Sequence, residues 1–361
     1  MKGGIGQGGS GARRLITIPA YVIAWLVWLV AVPLWLPLTI VVDLVGRSSW
    51  VAVRSATLVA VYLSCEILGI LASTGLWLWR RAVGADDEQW THIHFRLEAW
   101  WGATLFWVVV RLFGLRLEID GDADLGHGPY ILLLRHASTC DTLLASALVS
   151  RPHGMRLRYV LKRELLVDPC LDIVGNRVPN VFLDRTSVDA EREIERLRKL
   201  ARGLGARDGV LIYPEGTRFS EHKRRRVLDR LRRNEDAKML AYAESLAYVL
   251  PPRIGGTLAL LEAAPTADVV VCAHTGFEGA ATLAHIWKGA LVHQTVRVQL
   301  RRVRRAEIPA GREARVTWLL DEWRRVGGWV ERHRYPERSR VPVGAKTPEK
   351  AVLESNRLGS R

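Results

Sequence analysis

Two long apolar stretches open the chain, and short apolar runs alternating with amphipathic segments fill the rest. Residues 15–45 are almost wholly apolar, with Asp43 near the end and Pro33 and Pro37 as interruptions. About twenty apolar residues cross a bilayer, so the stretch is long enough. Its prolines predict a kinked or re-entrant helix. Residues 50–79 form a second stretch, carrying Arg54 and Glu66. Arg54 lies close enough to the end to snorkel. Glu66, near the middle, has two readings: it is paired inside a helical hairpin, or it marks a segment that does not span lipid. A third piece, 100–115, holds Trp100, Trp101, Phe106, Trp107, Arg111 and Phe113. It reads as an interfacial amphipathic helix or as a core helix.

Beyond it the pattern changes to that of an α/β domain. Apolar or alternating segments at 115–119, 130–134, 157–161, 181–183, 210–213, 269–273 and 296–300 predict strands, with 115–119 alternating and 130–134 apolar throughout. Helices are predicted at 139–149, 188–204, 237–248 and 312–332. The alternation predicts a mixed, mostly parallel sheet flanked by helices. The chain therefore divides into a tail (1–14), a membrane helical hairpin (15–81), a linker with the third apolar helix (82–114), a large domain (115–335) and a polar, proline-bearing tail (336–361) predicted to be disordered. No internal repeat is visible.

Charge orients the hairpin. Arg13 and Arg14 precede it and Arg80 and Arg81 follow it, while the connection holds only Arg47. Positive-inside counting puts both ends, and the large domain, on the cytoplasmic face. A monotopic hairpin dipping into one leaflet gives the same placement. The first stretch is too long for a signal-peptide core. The net charge of +15 lies almost entirely after residue 100. Basic runs at 222–226, 230–233 and 301–305 suit an anionic membrane surface, or are solvated helix faces. Nucleic acid is not expected, because no aromatic interleaving or DNA-binding motif accompanies the charge. Cys65, Cys140, Cys170 and Cys272 lack metal-site spacing and read as buried thiols.

Two constellations carry chemistry. After the run 130–134 comes Arg135-His136-Ala137-Ser138-Thr139-Cys140-Asp141. A histidine at a strand's C-terminal end sits where α/β sheets place ligands, and its ordinary pKa suits proton abstraction. If a helix begins at Ser138, Asp141 can fold back onto the imidazole and fix its tautomer. Ser138-x-x-Asp141 is equally a helix-capping pattern. The second constellation, Tyr213-Pro214-Glu215-Gly216-Thr217-Arg218, follows another apolar run. Arg218 offers a planar fork for phosphate oxygens, Gly216 allows a tight turn, and Thr217 supplies a hydroxyl. Glu215 can hold Arg218 or accept from a substrate hydroxyl. A surface turn with a local ion pair is the plainer account.

Together these residues resemble the 1-acylglycerol-3-phosphate O-acyltransferase family of glycerolipid acyltransferases. His136 to Asp141 is similar to its His-x4-Asp box, and 181–185, ending in Arg185, to the block whose arginine faces the acceptor phosphate. Glu215 to Arg218 is similar to its Glu-Gly-Thr-Arg box, and Leu250-Pro251-Pro252-Arg253 to its proline-containing fourth block. The stretch from Lys162 to Leu165 resembles a lysine-bearing segment between the first two. The resemblance covers roughly 115–300. It implies a phosphate-bearing lysolipid acceptor and an acyl thioester donor, acyl-CoA or acyl-carrier protein, with no cofactor or metal. It further implies His136 as base, Asp141 as its partner, and Arg185, Glu215, Gly216, Thr217, Arg218, Lys162 and Arg253 as acceptor-binding residues. The implied product is phosphatidate. The alternatives are another lysophospholipid or glycolipid acceptor, or a non-catalytic lipid-binding or tethering protein. A covalent route through Cys140 or Ser138 is disfavoured, since neither is marked as an activated nucleophile.

Overall fold

The computed structural model describes residues 10–121, 124–184, 189–280 and 282–334. Arg185, the 336–361 tail and most of 1–14 lie outside the described residues. The first apolar stretch forms α1 (Ser10–Val30) and α2 (Val32–Val45). The break at Ala31 falls just ahead of Pro33, which sits in the first turn of α2, where a missing N–H removes no helical bond. The second stretch is α3 (Val51–Val83), and it runs back along α1. Trp28 Nε1 donates to the Ala56 carbonyl and Trp25 Nε1 to Ser64 Oγ. The Asp43 carboxylate accepts from the Ser48 hydroxyl and from the N–H groups of Ala52 and Val53, closing the turn into α3.

Helices α1 and α3 are each long and apolar enough to cross a membrane. Leu15, Ile16, Ile23 and Val30 on α1 are exposed, whereas part of α3 is covered by the rest of the chain. Glu66 is fully buried and accepts from Trp101 Nε1 at 2.9 Å and from the Cys170 N–H at 3.1 Å. It is therefore paired, but across to the folded domain rather than to the other arm of the hairpin. The third apolar piece belongs to α4 (Asp87–Phe113), capped by Asp86. Ala103, Phe106, Val109 and Phe113 enter the main core, so this is a core helix and the interfacial reading is corrected.

Among the described residues seven strands follow: β1 (Arg116–Asp120), β2 (Tyr130–Leu134), β3 (Arg156–Lys162), β4 (Val181–Leu183), β5 (Asp208–Ile212), β6 (Asp268–Thr275) and β7 (Thr295–Val303). Their order is β1-β7-β6-β2-β5-β3-β4. Every neighbouring pair is parallel except β6 with β7. The remaining helices are α5 (Arg151–His153), α6 (Pro169–Gly175), α7 (Ala190–Ala201), α8 (Glu221–Arg233), α9 (Ala237–Glu244), α10 (Ile254–Ala263), α11 (Leu283–Trp287) and α12 (Arg312–Arg334).

The period-two geometry of a strand sorts the core into two halves. Tyr130, Leu132 and Leu134 pack with α4 on one face. Ile131 and Leu133 pack with α7, α10 and α12 on the other. A sheet buried on both faces explains why β2 is apolar throughout.

The helix expected over 139–149 is irregular: a 3₁₀ turn, Cys140–Leu143, leads into a π-helical turn, Ser146–Ser150. The one expected over 188–204 is the shorter α7. The hairpin docks beside the end of β3. Arg13 and Arg14 pair with buried Asp172 of α6 at 2.6 and 2.9 Å, and the Tyr62 hydroxyl donates to Asp168, the α6 cap.

Candidate active site

β2 and β5 are parallel, with Leu133 opposite Ile212. The segments that leave them, 135–141 and 213–219, therefore emerge side by side at the C-terminal edge of the sheet. β3 and β4 point the same way, which brings Lys162 to that edge.

His136 Nδ1 lies 3.0 Å from Asp141 Oδ1. Asp141 Oδ2 accepts from the backbone N–H groups of Ala137 and Ser138, both at 2.6 Å. The 3₁₀ turn closes the five-position spacing that a regular helix would leave open. The bond from the Ser138 N–H is also one half of the capping pattern, so a single carboxylate caps the turn and holds the ring.

Asp141 is wholly buried. Burial alone would raise its pKa, but the hydrogen bond and charge of His136, then the charge of His274, hold it below the usual carboxylate range. An ionised Asp141 fixes the His136 proton on Nδ1 and leaves the lone pair on Nε2. No described residue hydrogen-bonds that Nε2. The ring packs on Tyr213 with centroids 4.3 Å apart, and burial keeps the Tyr213 phenol neutral by raising its pKa far above the ordinary value.

Glu215 behaves otherwise than the sequence suggested. Both of its carboxylate oxygens are engaged by backbone N–H groups rather than by Arg218. Its Oε1 accepts from the His136 N–H at 3.0 Å and its Oε2 from the Leu250 N–H at 2.8 Å. Burial pushes its pKa up to about 7, against the charge of Arg135 and these two N–H groups. Glu215 thus staples three loops together. Gly216 has φ +68°, and Arg253 lies across it so closely that a Cβ would meet Nε at 2.5 Å. The Arg253 N–H donates to the Pro214 carbonyl at 2.7 Å.

Arg218 Nη1 donates to Thr139 Oγ1 at 2.6 Å, which ties the second constellation onto the first. Lys223 Nζ donates to Thr217 Oγ1 and to the Arg218 carbonyl, at 2.8 and 3.0 Å. Lys162 ends β3 and pairs with Glu164 at 2.7 Å. His136, Asp141, Glu215, Gly216, Thr217, Arg218 and Arg253 are therefore gathered in one place, and Lys162 stands two strands away on the same edge. The block that ends in Arg185 leaves β4 at this edge, although Arg185 itself is outside the described residues.

Three residues escaped the sequence reading. Arg135 is fully buried and donates to the His274 carbonyl, Glu278 Oε1 and the Tyr248 carbonyl at 2.6, 2.6 and 2.9 Å. His274 Nε2 lies 2.9 Å from the Arg135 carbonyl and 3.6 Å from Asp141 Oδ2. Burial depresses the His274 pKa, with Arg135 acting in the same sense and the charge of Asp141 opposing both. Glu278 would be raised by burial but is held low by Arg135. The signal was available: a charged residue directly after the run 130–134, and a histidine after the run 269–273. Cys140 and Ser138 are not poised to attack. Burial pushes the Cys140 thiol up to about 12, and Ser138 Oγ donates to the Ala280 carbonyl at 2.8 Å.

The Acyltransferase family model matches residues 116–255, from β1 into α10, and so takes in all these loops. Lysophosphatidylinositol acyltransferase 10 of Caenorhabditis elegans is 22% identical over 250 residues, 65% of this chain and 61% of that protein. A 1-acyl-sn-glycerol-3-phosphate acyltransferase of Pseudomonas aeruginosa is 29% identical over 120 residues, 33% of this chain and 44% of that protein. The chain thus spans less than two thirds of the length of either curated relative. Among solved structures, the 1-acyl-sn-glycerophosphate acyltransferase PlsC of Thermotoga maritima aligns at a TM-score of 0.47 and 16% identity, over 77% of this chain and 98% of that one. Residues 116–255, which carry the His-x4-Asp box and the Glu-Gly-Thr-Arg box on one edge of the sheet, are thus similar to the Acyltransferase family and to glycerolipid acyltransferases.

Proposed function

We propose that the chain transfers a fatty acyl group from a thioester donor, acyl-CoA or acyl-carrier protein, to the free hydroxyl of a phosphate-bearing lysolipid. The acceptor we favour is 1-acylglycerol-3-phosphate, giving phosphatidate. The observation that carries the reading is the His136–Asp141 pair at 3.0 Å, with Arg218 tied to Thr139 inside the same box. In this reading His136 Nε2 takes the proton from the acceptor hydroxyl as its oxygen attacks the thioester carbonyl carbon. Asp141 stabilises the imidazolium that forms. The C–S bond breaks, and the leaving thiolate recovers the proton from His136. No acyl-enzyme is needed.

Arg218, with Thr217 beside it, would hold the acceptor phosphate, and Arg185 and Lys162 would complete that cradle. Fixing the phosphate fixes the hydroxyl, itself a large contribution to rate. Glu215, Gly216 and Arg253 would serve by holding these loops in register. The apolar hairpin would keep the edge at a membrane, with the catalytic domain on the cytoplasmic face, as the arginines flanking α1 and α3 argue. A second reading changes only the acceptor. It is favoured by the C. elegans relative, whose name specifies lysophosphatidylinositol.

The test is acyl transfer by purified membranes with labelled acyl-CoA and a panel of lyso-acceptors. Wild type should acylate 1-acylglycerol-3-phosphate best, and His136→Ala should reduce the rate at least about 100-fold while remaining in the membrane fraction. Full activity of His136→Ala would sink the mechanism. Preference for lysophosphatidylinositol would select the second reading.

A further inference from the structure

Away from the loops after β2 and β5, a cavity of about 320 Å³ opens where α3 passes into α4. It is lined by Trp77, Arg80, Arg81, Gly84, Ala85 and Trp90. The Arg81 guanidinium lies 4.6 Å from the Trp77 ring centroid, and that of Arg80 4.8 Å from Trp90. A third guanidinium, that of Arg177 from the turn after α6, lies 5.1 Å from Trp90. Against these charges stands Asp87, 83% exposed, at 2.5 Å from Arg80. Arg81 makes no ion pair among the described residues. Asp86 is occupied in capping α4, where it accepts from the Gln89 N–H.

The cavity's surroundings narrow the choice of ligand. Leu71 and Leu78, seven positions apart on one face of α3 shortly before Arg80 and Arg81, are 62% and 56% exposed, so an apolar strip leads toward the cavity. Indoles and arginines at the end of such a strip occupy the level of a membrane interface. A soluble phosphate ion would gain nothing from the strip. A quaternary ammonium would need an indole face, and guanidinium groups already lie over both rings.

We propose that this cavity binds the headgroup phosphate of an anionic phospholipid, whose acyl chains lie along Leu71 and Leu78. The site is separate from the catalytic edge and takes a lipid that is not consumed. It rests on the membrane association argued above but not on the chemistry at His136.

The experiment is native mass spectrometry of the full chain in detergent, with phosphatidylglycerol or phosphatidylcholine added separately. Wild type should retain phosphatidylglycerol in preference to phosphatidylcholine. Arg81→Gln should weaken phosphatidylglycerol binding roughly fivefold, and the Arg80→Gln/Arg81→Gln pair further, at about 1 kcal/mol per cation. The Lys/Lys pair should restore binding, which separates charge from folding, and His136→Ala should bind as wild type does. Undiminished phosphatidylglycerol binding by the Gln/Gln pair would overturn the proposal. So would displacement of the lipid by millimolar inorganic phosphate, which would mark a free-phosphate site.

Discussion

Arg218 and Thr139 are joined by a 2.6 Å hydrogen bond although 79 positions separate them in sequence. The bond sets where the guanidinium stands relative to His136. Thr139→Val should leave the fold intact and release that constraint. We expect KM for the phosphorylated acceptor to rise about 2- to 10-fold, the scale of one charge-assisted hydrogen bond weakened by solvent exposure, with kcat less affected. Arg218→Ala should raise it further. Steady-state kinetics against acceptor concentration decides this, and a Thr139→Val enzyme with unchanged KM would show that the bond positions nothing.

Asp141→Asn keeps the shape of the carboxylate but removes its charge. The amide cannot accept from His136 Nδ1 and from both N–H groups now on Oδ2. We expect a rate loss of roughly 10³- to 10⁴-fold, the scale set by tautomer control in hydrolase triads. Activity within tenfold of wild type would show that the pair is structural only.

Glu215 carries a prediction about stability. Glu215→Ala strips the buried N–H groups of His136 and Leu250 of their acceptor, at about 1–3 kcal/mol for each. A lower Tm should follow. The pH dependence has a definite sign. The folded pKa of about 7 stands above the ordinary 4.5, so the folded protein binds the extra proton between those values. Its contribution is full below about 4.5 and lost as pH rises toward 7. Asp141, held low, acts in the opposite sense and loses its contribution as pH falls below the ordinary carboxylate range. Chemical denaturation from pH 4.5 to 7 should show a Glu215-dependent decline that Glu215→Ala abolishes.

Gly216→Ala tests the close approach of Arg253. The backbone at φ +68° opposes a side chain by about 1–2 kcal/mol, and the new methyl would also displace the Arg253 guanidinium. Both Tm and kcat/KM should fall. If only Tm falls, Arg253 is not part of the acceptor site.

What the sequence revealed depended on how local each cause was. β2 was legible end to end because Tyr130 to Leu134 are buried on both faces, and the pattern needs no partner to read. The turn after Thr139 was not, because its shape is dictated by where the Asp141 carboxylate finds its donors. α10 opens on Gly255-Gly256, a pair with low helix propensity, and in the fold the methyls of Leu197 and Ile212 approach Gly256 closely. The part Glu215 plays in joining the loops was not legible, because the sequence shows its neighbour Arg218 and not the two N–H groups of His136 and Leu250. His274 stands directly after an apolar run, but its partners Arg135 and Asp141 are distant in sequence, so its place in the site shows only in the fold.

The pairing of Arg13 and Arg14 with Asp172 has a mechanical outcome. Removing both arginines would leave the buried Asp172 carboxylate without a cation, with Asn176 Nδ2 still donating to it, so Arg13→Ala/Arg14→Ala should loosen α1 and speed hydrogen exchange along it; unchanged exchange would show that the pairing does not hold α1. With the arginines present, the apolar arm cannot tilt without turning the short helix just past Lys162. The place of the sheet edge relative to the apolar arm is then tied to an ion pair rather than to apolar packing alone.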